Sequence, residues 1–177
     1  MATAGTSINF GEFGLKATEP AEKEEAARRL AVGLQELVPI IPEIQHLTVG
    51  ADLGVSFDGD ADRAAFVDDR GRPVGSDLAT ALIACELLER DPGSAIVYDL
   101  RSSRAVAELI HEHGGQPIRE RVGHSFIKAT LREHQGIFGG ELAGHYYFRD
   151  HFFADCALMA VFELLNLLRK RKKKLSE

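Results

Sequence analysis

Residues 58–63 read Asp-Gly-Asp-Ala-Asp-Arg. Three carboxylates at alternate positions, separated only by Gly59 and Ala61, can curl around a single point, because the small residues let the backbone bend without crowding. Anions packed this closely repel one another unless a cation sits among them. Hard oxygen donors in this number suit Mg2+ or Ca2+. Arg63 follows at once, and a guanidinium beside a carboxylate-bound divalent ion offers charge neutralisation and a bidentate clamp, which a phosphoryl group requires. A calcium EF-hand also begins D-x-D-x-D, but it needs Gly where this chain has Arg63 and a helix where this chain has a strand pattern. A solvated acidic turn is the remaining competitor, since Asp and Gly are ordinary turn formers.

A second group lies at Gly139-Gly140-Glu141-Leu142-Ala143-Gly144-His145. Its glycines bring the backbone close to something or simply make a turn. Glu141 could accept hydrogen bonds from sugar hydroxyls, and His145 could donate to an oxygen or shuttle a proton. A plain hairpin would read the same way. Gly123-His124-Ser125 stands at a helix start, where free N–H groups favour an anion, although a histidine there also serves as a capping or packing residue.

The elements that must hold these residues alternate. Leu53–Phe57 reads as a buried strand leading into the acidic loop, and ligands bind beyond strand ends in α/β sheets. Ala65–Val67 and Pro73–Val74 flank Asp68-Asp69-Arg70-Gly71 as a hairpin. A helix is expected over 76–90, a strand over 95–98, and a helix from the Ser102/Ser103 cap to about His113, ended by Gly114-Gly115. A strand over 116–121, a helix over 125–134, a strand over 136–139 and a strand over 145–148 follow. A last helix over 154–168 is apolar nearly all round and is expected to be deeply packed. Upstream, Thr18-Glu19-Pro20 starts a helix that Pro39 and Pro42 stop, and residues 1–17 read as loop. This pattern predicts an α/β protein, a layered α/β/α domain with a mostly parallel mixed sheet.

Composition narrows the partners. The 177 residues carry 21 basic and 27 acidic side chains, a net charge of −6. Setting aside the six cations and one acid of residues 169–177 leaves 15 basic and 26 acidic residues, a body unsuited to a nucleic-acid groove. The basic tail is expected to be a frayed, solvated helix end with cations well placed for the helix dipole. Only two cysteines, Cys85 and Cys156, are present, which argues against a disulfide scaffold. With no signal peptide and no membrane span in the sequence, a cytoplasmic location is expected.

Taken together, these segments resemble the α-D-phosphohexomutases, the phosphomannomutase and phosphoglucomutase family. Phe57–Arg63 resembles the family's magnesium loop and Gly140–His145 its sugar-recognition loop, while Asp99–Ser103 and Gly123–Lys128 match two further stretches. Order and spacing agree from about Ala51 to Leu168. The resemblance implies enzymes of four domains, in which a phosphoserine of the first exchanges phosphoryl groups with a hexose phosphate. It divides this chain into residues 1–49, unassigned; 50–72, the end of a second domain; 73–168, a third domain; and 169–177, the basic tail.

Carried over by position, Asp58, Asp60 and Asp62 would hold Mg2+. Arg63 and His145 would be catalytic, and Arg101, His124 and Glu141 would bind the substrate. Arg101 stands where many members have Lys, and Ala143 where Ser is usual, which costs one hydroxyl contact to the sugar. No family phosphoserine motif and no phosphate-gripping loop is found in the 177 residues. The expectation is therefore part of a mutase, inactive alone. Its partners would be a hexose phosphate and another chain supplying the missing domains, with a tendency to self-associate. The alternatives are a non-catalytic module that binds Mg2+ or sugar phosphate and a structural remnant.

Overall fold

The computed structural model describes residues 52–177; the loop and helix expected within residues 1–49 lie outside the described residues. Two sheets are present. The smaller is an antiparallel three-stranded meander, in which β1 (Leu53–Phe57) pairs with β2 (Ala64–Asp68) and β2 with β3 (Pro73–Val74). The larger has five strands, in the order β5-β4-β6-β7-β8. They are β4 (Ala95–Asp99), β5 (Gln116–Glu120), β6 (Phe138–Gly140), β7 (Tyr146–Phe148) and β8 (Ala154–Asp155). Strands β5, β4 and β6 are mutually parallel, β7 runs against them, and β8 returns to the common direction. The expected mixed and mostly parallel sheet is thus found.

Among the described residues four α-helices complete the fold: α1 (Ser76–Arg90), α2 (Arg104–Glu112), α3 (His124–Glu133) and α4 (Ala157–Arg171). The period-2 alternation of strand side chains sorts them into layers. Along β4, Ile96 and Tyr98 face one side, with α1, α2 and α4, and Val97 faces the other, with Ile127 and Leu131 of α3. Along β7, Tyr146 and Phe148 join the first core and Tyr147 the second. Helix α1 sits very close to β6, because a Cβ on Gly140 would lie 2.1 Å from Thr80 Oγ1. Tyr146 joins the two sheets, its ring 6.0 Å from Phe66 of β2 and 6.4 Å from Phe138 of β6.

Four expectations are corrected. Strand β1 is only partly buried: Leu53 is enclosed and the rest is partly exposed, with Val55 and Phe57 packed against the core; among the described residues it is an edge strand of the small antiparallel sheet. The last helix starts at Ala157, because Ala154 and Asp155 pair with β7 instead. It is buried on one face only: Leu158 and Phe162, four residues apart and so on one side, are 47% and 56% exposed.

The basic tail is not frayed. Helix α4 runs on to Arg171, Lys170 reaches Glu86 and Glu89, and Arg171 pairs with Glu89. Ser176 then bonds Asp69 in the β2–β3 turn, and Leu175 packs against the core.

Candidate functional site

The acidic loop, residues 58–63, joins β1 to β2. Ala61 takes a left-handed conformation, with φ of 60°, and its N–H bonds the Asp58 carbonyl at 3.2 Å. This tight turn folds the alternate residues inward, so that carboxylate oxygens of Asp58, Asp60 and Asp62 all lie within 4.8 Å of one another. Asp58 is nearly enclosed and receives Arg63 twice, from its N–H at 3.1 Å and from its Nε at 2.5 Å. Burial alone would raise the Asp58 pKa, but these bonds outweigh it and hold the carboxyl below its ordinary range. Asp62 goes the other way. Burial, and then the neighbouring anions Asp58 and Asp60, push its pKa up against the opposing influence of His145. Its Oδ1 is shut off from solvent with no hydrogen-bond partner.

The second loop, residues 141–145, joins β6 to β7 and packs against the first. Arg63 and His145 form an antiparallel bridge, and the Ala64 N–H donates to the Gly144 carbonyl at 3.1 Å. Gly144 is required here: its φ is +90°, and a Cβ would meet the Ala64 carbonyl oxygen at 2.9 Å. Three further bonds fix this loop. The Glu141 N–H donates to the His145 carbonyl at 2.9 Å. Glu141 Oε1 accepts the Gly123 N–H at 2.9 Å. Asp99 Oδ2, at the end of β4, accepts the Leu142 N–H at 2.9 Å.

Asp99 holds Arg101 as well, through its backbone N–H at 2.9 Å and its guanidinium at 2.7 Å. Its burial opposes ionisation, but the Arg101 side chain and the donated backbone N–H groups prevail and keep its pKa low.

Six of the eight residues expected from the sequence lie on the two adjoining loops, and the other two are linked to them only through neighbours. Asp58, Asp60, Asp62 and Arg63 share one loop. His145 and Glu141 share the next, Arg101 reaches it through Asp99, and His124 follows Gly123, the donor to Glu141. Two of them are arranged in ways the sequence did not reveal. Glu141 is buried, with one oxygen already committed to Gly123. His124 is an exposed first residue of α3, with Gly123 as the N-cap.

Sequence reasoning passed over Asp155 and treated Asp99 and Lys128 only as parts of longer matches. Asp155 Oδ2 lies 3.1 Å from His145 Nδ1, and its Oδ1 accepts from Lys128 Nζ at 2.7 Å. Tyr147 lies beneath them, its ring 6.1 Å from His145 and 5.4 Å from Lys128 Nζ. Its hydroxyl is buried without a partner, and burial followed by the nearby Glu141, Asp155 and Asp62 carboxylates pushes its pKa above the ordinary 10. The sequence signal for Asp155 was an acid near the start of the Ala154–Leu168 apolar stretch, where an anion needs a partner.

The aspartate loop suits a hard divalent cation. The donors are all carboxylate oxygens, they already converge, and one of them is buried and unsatisfied.

The family model "Phosphoglucomutase/phosphomannomutase, alpha/beta/alpha domain III" matches residues 75–177. The phosphomannomutase of Methanocaldococcus jannaschii is 42% identical over 126 residues, 71% of this chain and 28% of the relative. The phosphomannomutase/phosphoglucomutase of Pseudomonas syringae is 37% identical over 136 residues, 76% of this chain and 29% of the relative. Among solved structures, a phosphoglucomutase/phosphomannomutase family protein from Burkholderia thailandensis superposes with a TM-score of 0.68 at 34% identity, covering 80% of this chain and 31% of that one. The chain thus spans less than a third of the length of these relatives. Among the described residues no helix is long and apolar enough to cross a membrane.

Proposed function

Since the chain belongs to the phosphoglucomutase/phosphomannomutase family and carries its α/β/α domain III, we propose that residues 58–145 supply the metal and sugar-recognition side of a phosphohexomutase cleft. The observation that carries this reading is the bridge between Arg63 and His145. It sets the aspartate loop and the glycine-rich loop against each other, so that a cation-binding group and a set of polar hydrogen-bonding groups share one surface.

In this reading Asp58, Asp60 and Asp62 hold Mg2+, which when bound neutralises charge on a phosphoryl group in transit. Arg63, fixed by Asp58, presents the rest of its guanidinium to that group. Arg101 uses one side of its fork on Asp99 and has further N–H groups for a substrate oxygen. Glu141 offers the carboxylate oxygen that Gly123 does not occupy to sugar hydroxyls. His145 and His124 supply ring nitrogens at the rim.

Phosphoryl transfer is mostly positioning and charge stabilisation within a closed cleft. These 177 residues contain no match to the family's phosphoserine motif, so we expect no turnover from them alone. Activity calls for the nucleophile and phosphate-gripping parts, from another chain or from sequence beyond this one, and the exposed Leu78, Leu100 and Leu142 are apolar surface available for such a contact or for self-association. The test is calorimetric titration of the 177-residue chain with Mg2+ and then with glucose 1-phosphate, alongside a coupled mutase assay. Heat with both ligands and no turnover is expected. Absence of heat with either ligand removes the reading, and turnover that survives repurification refutes the inactivity.

A further inference from the structure

We infer that Asp155 is the positioning residue of the site histidine: it holds the His145 proton on Nδ1 and thereby leaves Nε2 as the nitrogen offered to a ligand. The inference deepens the proposed mutase reading and depends on it only for what the ligand is.

His145 Nδ1 faces two carboxylates. Asp155 Oδ2 is at 3.1 Å, within hydrogen-bond reach, and Asp62 Oδ2 is at 3.7 Å, beyond it. A nitrogen lone pair aimed at two anionic oxygens is repelled, so the neutral ring must carry its proton on Nδ1. The hydrogen bond made by one ring nitrogen decides the role of the other. Among the described residues Nε2 has no hydrogen-bond partner, and the side chain is 20% exposed.

Asp155 is itself seated. Its other oxygen, Oδ1, takes Lys128 Nζ at 2.7 Å, and the side chain is 15% exposed. Burial alone would favour the protonated acid, but the Lys128 bond outweighs it and keeps the carboxyl ionised at neutral pH. The Tyr147 ring, 6.1 Å from the imidazole and inclined at 19° to it, supports its flat face. The β7–β8 pairing, in which Tyr147 is opposite Asp155, sets the distance between acid and histidine through the backbone.

An imidazole anchored in this way loses little rotational freedom when a ligand arrives, and it meets that ligand with one defined nitrogen. Asp62 is a poor substitute for Asp155, because its nearest oxygen lies 3.7 Å from Nδ1, beyond hydrogen-bond reach.

The test is long-range 15N–1H NMR of the histidine rings in the full 177-residue chain, with the His145 signals assigned by their disappearance in His145→Gln. In the unaltered chain Nδ1 is expected to show the protonated shift and Nε2 the bare one. In Asp155→Ala the population is expected to move mostly to the Nε2–H form that free histidine prefers. In Asp62→Ala it should stay on Nδ1, and this variant serves if Asp155→Ala fails to fold.

A proton on Nε2 in the unaltered chain overturns the inference. So does a folded Asp155→Ala whose tautomer is unchanged, or loss of the Nδ1 proton in Asp62→Ala. None of these readings needs a ligand. A chain with the expected tautomer but no heat toward Mg2+ or glucose 1-phosphate counts against the mutase reading alone.

Discussion

The two loops that meet at Arg63 and His145 are built on opposite principles. In the glycine-rich loop the polar backbone and the buried acid are matched. Leu142 N–H finds Asp99, Glu141 Oε1 finds Gly123, and the Gly144 carbonyl finds Ala64. In the aspartate loop only Asp58 is matched. Asp60 is exposed, and Asp62 has a raised pKa and a buried oxygen that no hydrogen bond satisfies, its nearest cation Arg63 Nε standing 3.8 Å away. The first loop is finished by hydrogen bonds within the chain, whereas the second holds an electrostatic debt that a cation would settle. A loop closed by its own hydrogen bonds and a loop with uncompensated negative charge can thus lie side by side, because their energies come from different terms.

The comparison breaks first at Asp99. Asp99→Ala removes the acceptor of the Leu142, Arg101 and Ser102 N–H groups. These donors are partly exposed and water can reach them, so the folded state should lose about 1–3 kcal/mol in all, read as a fall in the urea midpoint. The pH dependence follows from the same carboxylate. Its folded pKa lies below the ordinary 3.8, so its contribution is present above that value and is lost as pH falls through the folded pKa. Asp99→Asn should therefore flatten the stability curve below about pH 4 and leave its slope at pH 6–8 unchanged. An unaltered acid limb would show that the glycine-rich loop is not held by this charge.

The next prediction sharpens the other side. Replacing an unmatched anion should help the free chain and harm the loaded one. Asp62→Asn is expected to raise thermal stability without added metal by about 0.5–1 kcal/mol, the range for relief of close like charges at partly exposed positions. It should also abolish the rise in melting temperature that the proposed reading expects Mg2+ to give the unaltered chain. Millimolar Mg2+ present at about 100 times its Kd would stabilise by about 2.7 kcal/mol. If Asp62→Asn destabilises the free chain and leaves the Mg2+ response intact, the loop is a structural turn and not a cation receptor.

The sequence disclosed the aspartate loop because its chemistry is local: three acids at alternate positions must crowd whatever the rest of the fold does. The alternating strands and helices were equally legible, and α1 falls on the expected residues 76–90. What escaped was long-range. Asp155 pairs with His145 ten residues away only because β8 turns back beside β7, and a two-residue strand leaves no period to read. The same short strand cut three residues from the start of the last helix. Nor did composition show that Glu141 points inward onto Gly123, since an acid in a glycine-rich turn is ordinarily solvated.

The tail supplies the smallest effect and a control for both loops. It also gathers charges, with Arg171 on Glu89 and Lys174 4.0 Å from Asp69. Unlike the loops, it holds these two cations about half exposed. Water already solvates such pairs, so each is worth little and is screened by salt. The double variant Arg171→Gln, Lys174→Gln should lower the urea midpoint far less than Asp99→Ala does. The difference from the unaltered chain should vanish at about 1 M salt, where the Debye length is about 3 Å. Leu175, packed against the core, should keep the tail docked in that variant, as a retained amide-exchange pattern in α4 would show. A large loss that persists in salt would mean that the tail's charges act as buried groups, and the contrast drawn between matched and exposed ions would fail at the place where it is simplest to measure.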